Sequence, residues 1–113
     1  MRWNIVYTAG SKRDLRDIYE YIAYGLLVPE TASEQTWRIM KGIRALEEMS
    51  IRFRLYDGEP WHSEGLRFFP LDNYLVFYLP DESQNTVSIV RIMYGGRDIS
   101  KQLDESEIKP DNP

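Results

Sequence analysis

Near the start of the chain, Trp3, Ile5 and Tyr7 alternate with Asn4, Val6 and Thr8, the period of two that sends successive side chains to opposite faces of a strand. The aromatic and β-branched content supports a strand, and Ala9-Gly10-Ser11 reads as its stop. Ser11 then stands as an N-cap. Beyond it Leu15, Ile18, Tyr19, Ile22 and Leu26 recur at helical spacing, with Arg13, Asp14, Arg16, Asp17 and Glu20 off that stripe, which predicts an amphipathic helix over about 12 to 24. A second helix starts near Pro29, where proline suits the first turn and Glu30 suits the positive end of the dipole; Thr31 and Glu34 offer a competing capping box. Ala32, Thr36, Ile39, Met40, Ile43 and Leu46 carry its stripe to about Met49. The short Gly25 to Val28 connector predicts an antiparallel helix hairpin. Gly42 costs about 1 kcal/mol in mid-helix relative to Ala, which fits a close approach by other backbone.

From Ser50 to Glu64 the periodicity dissolves into a packed loop anchored by Phe53, Leu55, Tyr56 and Trp61, with room for a short edge strand. Three β-rich runs follow, Leu66 to Phe69, Tyr74 to Leu79 and Val87 to Tyr94, separated by turn-forming segments at 70–73 and 80–85. Gly95-Gly96 ends the last run, and 97–103 is a short helix or extended arm. The predicted order is β-α-α-β-β-β, an α+β two-layer domain over 1–103, with both helices on one face of an antiparallel meander and the other face open to partners. Residues 104–113 have the composition of a disordered acidic tail.

The chain has 113 residues, 42% hydrophobic and 28% charged, which excludes a disordered chain and suits a single core. No cysteine is present, which removes disulfides, thiolate metal sites and a cysteine nucleophile together. No run approaches the roughly 20 apolar residues of a membrane span, so a cytoplasmic protein without a membrane partner is expected. The net charge of −4 argues against non-specific binding of nucleic acid. Four of the acids and two of the lysines lie from Lys101 onward, so the rest of the chain carries only −2 and leaves room for a local basic cleft.

Candidate chemistry is sparse. His62 is the only histidine, and a lone loop histidine is more often a surface residue than a catalyst. The carboxylates of Asp14, Asp17 and Glu20, or Glu47 and Glu48, read as solvated helix faces. No metal signature and no cofactor motif is present. The arginines are more informative: between Gly65 and Ser100 the only cations are Arg67, Arg91 and Arg97, each on or beside a predicted strand, where a guanidinium can grip a carboxylate or phosphate bidentately. Simple alternation puts Arg91 on a face with Ile89 and Met93, as a part-buried arginine paired to an acid or as a member of a functional cleft. Arg97-Asp98 also reads as a turn ion pair.

Three segments taken together, Gly65-Leu66-Arg67-Phe68-Phe69-Pro70, Asn73-Tyr74-Leu75-Val76-Phe77-Tyr78 and Ile89-Val90-Arg91-Ile92-Met93-Tyr94-Gly95-Gly96-Arg97-Asp98-Ile99, resemble the RelE/ParE superfamily of bacterial type II toxin–antitoxin toxins, on its ParE-like branch. Asp14-Leu15, Ile18-Tyr19, Tyr21-Ile22 and Pro29-Glu30-Thr31-Ala32 extend the resemblance. It implies two helices on a small antiparallel sheet and a cognate antitoxin that neutralises the chain. It implies one of two targets: ParE-like toxins inhibit DNA gyrase, and RelE-like toxins are endoribonucleases that cut mRNA on the ribosome. On the RelE pattern Arg67 and Arg97 match basic positions, whereas Gly65, Tyr74 and about Leu103 stand where that pattern has functional residues.

Cleavage through a ribose hydroxyl needs a base, an acid and cationic stabilisation. A nuclease would have to draw on Arg67, Arg91, Arg97, Tyr74, Tyr94 or His62. The missing set favours gyrase inhibition through a partner-binding surface of Arg67, Tyr74, Arg91, Tyr94, Arg97 and Asp98. The alternatives are the mRNA endoribonuclease and an inactive relic that still binds antitoxin.

Overall fold

The computed structural model describes residues 2–49, 51–96 and 98–104. Strand β1 (Asn4–Tyr7) leads into helix α1 (Ala9–Glu20), and it is Thr8, not Ser11, that caps the helix. Thr8 Oγ1 accepts from the Ser11 amide at 3.2 Å and shares its proton between the carbonyls of Ile89 and Val90, at 2.8 and 3.0 Å. Ala9-Gly10, turn-like in sequence, is therefore the first helical turn. A Cβ on Gly10 would lie 3.2 Å from Arg91 Cδ and 3.4 Å from the Val90 carbonyl, so glycine lets the helix start directly against a strand.

The α1 stripe holds through Ile22 and then slips. At Tyr21–Gly25 the helix widens into a π turn, which changes the phase of the side chains that follow. Ala23 is buried beside Ile22, and Leu26, expected on the stripe, is 54% exposed. Helix α2 (Pro29–Arg44) starts at the proline rather than at the Thr31 box, and the expected continuation to Met49 breaks at Ala45 before a one-turn helix α3 (Leu46–Met49). Ile39, Ile43 and Leu46 are buried, while Met40 faces outward. Gly42 does meet a close neighbour, but side chains rather than backbone: Leu71 and Phe69 fill the space a Cβ would need.

A one-turn helix α4 (Trp61–Glu64) precedes the meander of β2 (Arg67–Leu71), β3 (Tyr74–Asp81) and β4 (Thr86–Tyr94), and a last helix α5 (Ile99–Asp104) follows. The 97–103 segment is thus helical from Ile99, and of the acidic tail all but Asp104 lies outside the described residues. The sheet order is β1-β4-β3-β2, with β1 parallel to β4 and the other pairings antiparallel. Ile5 pairs with Val87 and Tyr7 with Ile89.

Between β3 and β4 the register passes from Tyr78↔Ile89 to Phe77↔Arg91, leaving Val90 as the extra residue of a bulge. The alternation expected for β4 therefore breaks. Ile89 packs with Val76, Tyr78 and Phe69 under the helix hairpin, whereas Val90 and Met93 belong to the opposite layer with Phe77. Arg91 is registered against Phe77, and so does not share a face with Ile89.

That opposite face is not open, as the sequence suggested. Leu66, Phe77, Val90 and Met93 are covered by Trp61 from α4 and Leu103 from α5, with Tyr56 and Ile99 at the margin. The Tyr56 hydroxyl and Ser100 Oγ lie 3.1 Å apart, tying the loop to α5. Strands apolar on both faces need cover on both, and the loop anchors supply it.

Two outcomes follow from this packing. Leu103→Ala should lower unfolding free energy in urea by about 2–5 kcal/mol, whereas Leu26→Ala should change it by less than about 0.5 kcal/mol; equal effects would contradict the assigned burial. Burial also pushes the Tyr78 hydroxyl up from 10.0 to about 12, against a smaller opposing pull from Arg67. The unfolded chain loses that proton near pH 10 and the folded chain keeps it longer, so stability should fall as pH climbs from about 10 towards 12. The melting temperature of Tyr78→Phe should fall less steeply over the same interval.

Candidate partner-binding groove

Strand β1 pairs with β4 only as far as Tyr7↔Ile89. Past that point the edge of β4 has no strand beside it, and α1 runs along it instead. Asp14 occupies the gap. Its carboxylate accepts from Arg91 Nε at 2.7 Å, from Arg91 Nη2 at 2.9 Å and from the Ile92 amide at 2.8 Å. The third of these stands in for the ladder bond that a neighbouring strand would have made. Arg91 also reaches the Gln102 carbonyl at 3.3 Å and Gln102 Oε1 at 3.4 Å, which joins α1, β4 and α5 through one guanidinium.

The side chains of Asp14 and Arg91 are 11% and 15% exposed. Asp14, expected on a solvated helix face, is therefore buried against a sheet edge, and of the two roles open to Arg91 the structure shows the part-buried ion pair. Bidentate geometry and the added amide donor satisfy the lone pairs that burial would otherwise leave unmatched.

In front of this clamp lies an open groove of about 650 Å³, lined by Asp14, Asp17, Ile18 and Tyr21 from the first helical segment and by Tyr74, Ile92 and Tyr94 from the sheet. Tyr74 and Tyr94 are cross-strand partners, with ring centroids 6.1 Å apart in an edge-to-face arrangement at 77°. Tyr94 is 52% exposed and Tyr21 63%. Burial raises the pKa of the half-buried Tyr74 hydroxyl above 10.0, and Tyr94, Asp72 and Tyr21 push it further the same way.

The residues singled out in sequence thus part company. Tyr74 and Tyr94 meet in the groove, and Arg91 sits behind it, engaged by Asp14. Arg67 is on β2, two strands from β4, and donates to the Phe53 carbonyl at 2.6 Å. His62 lies on α4 with Nδ1 2.9 Å from the Tyr56 carbonyl, and Leu103 is in the core. Gly65 has φ of +88° and ends α4. Asp98 Oδ1 accepts from the Lys101 amide at the start of α5, at 3.3 Å, and Arg97 lies outside the described residues.

Sequence reasoning missed Asp14, Asp17, Ile18 and Tyr21 as groove residues. Their spacing of three and four residues per turn, ending in an aromatic off the main stripe, was the available signal. Among the described residues no cluster of three or more His, Asp or Glu is placed to hold a metal ion, and no helix is long and apolar enough to cross a membrane.

Residues 5–99 match the family model described as the ParE toxin of the type II toxin–antitoxin system parDE. Comparison with curated proteins gives no match. Among solved structures, the fold is similar to a chain from the chromosomal ParDE toxin–antitoxin system of P. aeruginosa, with a TM-score of 0.67 and 20% identity over 82% of this chain and 96% of that one. It is also similar to a chain of the RelBE2 toxin–antitoxin complex from Mycobacterium tuberculosis, with a TM-score of 0.61 and 17% identity over 83% of this chain and 92% of that one.

Removing one partner of the edge clamp leaves the other charge buried. Asp14→Ala should cost about 3–5 kcal/mol in chemical denaturation, and adding Arg91→Met should recover part of that loss. A single variant within about 0.5 kcal/mol of the wild type would contradict the clamp.

Proposed function

The chain belongs to the ParE toxin family of type II toxin–antitoxin systems, and from that premise we propose that it inhibits DNA gyrase through protein contact while an antitoxin holds it inactive. The observation that carries this reading is the dispersal of the cations. Cutting RNA would require arginines converging on one phosphate together with a base and an acid. Arg67 is instead held by the Phe53 carbonyl on one side of the sheet, and Arg91 is held by Asp14 on the other. The residues that do converge are tyrosines, half-exposed and close together, which suit a protein interface.

The fold neighbours support an antitoxin partner. They are a ParDE system and a RelBE2 complex, both pairing toxin with antitoxin. An acidic chain is compatible with either contact, because electrostatic complementarity is local. Tyr74, Tyr94 and Asp98 are the partner-facing candidates on this reading, Arg91 acts from behind them through Asp14, and Arg67 and Arg97 are further positions.

Inducing the chain alone should stop growth, halt DNA replication before translation, and inhibit supercoiling by purified gyrase; co-expressed antitoxin should relieve all three. Unchanged supercoiling at excess toxin, with new mRNA ends within codons on the ribosome, would replace this reading with the endoribonuclease. Normal growth with folded protein would replace it with an inactive antitoxin-binding relic.

A further inference from the structure

The groove beside the β4 edge has a composition that narrows what can occupy it. It combines three tyrosines, Tyr21, Tyr74 and Tyr94, with the apolar side chains of Ile18 and Ile92, and none of its lining residues is cationic. The Asp14 carboxylate at its back is saturated by Arg91 and the Ile92 amide. Asp17, one turn further along the same helix, is exposed, and its side chain has no hydrogen bond or ion pair among the described residues. The groove therefore offers one uncommitted negative charge next to three aromatic rings. That is the chemistry that recognises an arginine or lysine side chain: the carboxylate pairs with the head group, the ring faces attract the cation, and the apolar walls take the methylene stem.

We propose that this groove seats a basic side chain, arginine or lysine, carried by the antitoxin, with Asp17 taking its charge and Tyr21, Tyr74 and Tyr94 its stem and cationic face. The inference rests on the reading of the chain as an antitoxin-neutralised toxin and adds the chemistry of the contact. Charge complementarity selects the occupant, because an acidic or neutral polar residue would leave Asp17 unpaired on the rim of a covered groove. The volume, about 650 Å³, exceeds one side chain, so residues flanking the basic one fill the remainder.

The test titrates the folded chain with N-acetyl-arginine amide while following the tyrosine ring resonances by NMR, with the neutral isostere N-acetyl-citrulline amide as control. Saturable shifts confined to Tyr21, Tyr74 and Tyr94 are expected, with millimolar affinity. The citrulline compound should bind at least about tenfold more weakly, in keeping with loss of the charge-assisted and cation–π contacts. Asp17→Asn should weaken arginine binding about five- to tenfold and remove its salt dependence.

In the complex with the antitoxin the same rings should no longer respond. Equal binding of citrulline, or no saturable shift at the three tyrosines, overturns the proposal; a groove still open to the probe in the complex overturns the antitoxin as its occupant. Arginine binding that persists in a chain without effect on gyrase would remove the target reading and leave this one standing. Gyrase inhibition without arginine binding would do the reverse.

Discussion

The Asp14 carboxylate is the constraint on which the arrangement of the molecule depends. A four-residue β1 is too short to cover β4, so half of that strand would present unpaired backbone groups at the sheet edge. Asp14 closes the gap from a helix, accepting the Ile92 amide and both prongs of Arg91. The position of α1 follows from this, because its N-cap, Thr8, is bonded to the carbonyls of Ile89 and Val90 just upstream. Two anchors a turn and a half apart fix the helix along the edge. Everything α1 carries outward, Asp17 and Tyr21 included, is then set in space against Tyr74 and Tyr94.

The bulge at Val90 belongs to the same device. By adding a residue it sends Ile89 into the hairpin-side core and Val90 and Met93 into the other, and brings Arg91 to the edge, where it meets both Asp14 and Gln102. One strand thereby feeds two apolar layers and still delivers a charged group sideways. The price is a second apolar face, closed by Trp61 and Leu103. The groove beside the edge stays uncovered, and the exposed tyrosines Tyr21, Tyr24 and Tyr94 lie there and at the π turn of the hairpin.

Much of this fold was legible in the residues. The order of strands and helices, the antiparallel meander and Pro29 as a helix start follow from period and turn chemistry. The rest turns on interactions distant in sequence. Thr8 beats Ser11 as a cap because a strand 81 and 82 residues away supplies carbonyls for its hydroxyl. Leu26 leaves the stripe because a π turn changes the helical phase, which a fixed period of 3.6 cannot anticipate. Asp14 looked like any acid on a polar helix face, since nothing local announces an unpaired edge. The second face looked free because the 50–64 segment has no periodicity, although its aromatic anchors were the sign that it packs. For the site, Tyr74 and Tyr94 meet in the groove, and since a guanidinium suits phosphate and carboxylate equally, nothing local to Arg91 announced that it pairs with Asp14.

Family membership, the dispersed cations and the aromatic groove are consistent with a toxin that works through contact surfaces, held in place by the clamp at the β4 edge. The most direct measurement of that central claim is amide hydrogen exchange at Ile92. If Asp14 replaces the missing strand, the Ile92 amide is protected to the same degree as amides bonded within the β3–β4 ladder, and in Asp14→Ala its protection falls further than theirs. Exchange of the Ile92 amide at the rate of an exposed edge in the wild-type chain would contradict the account.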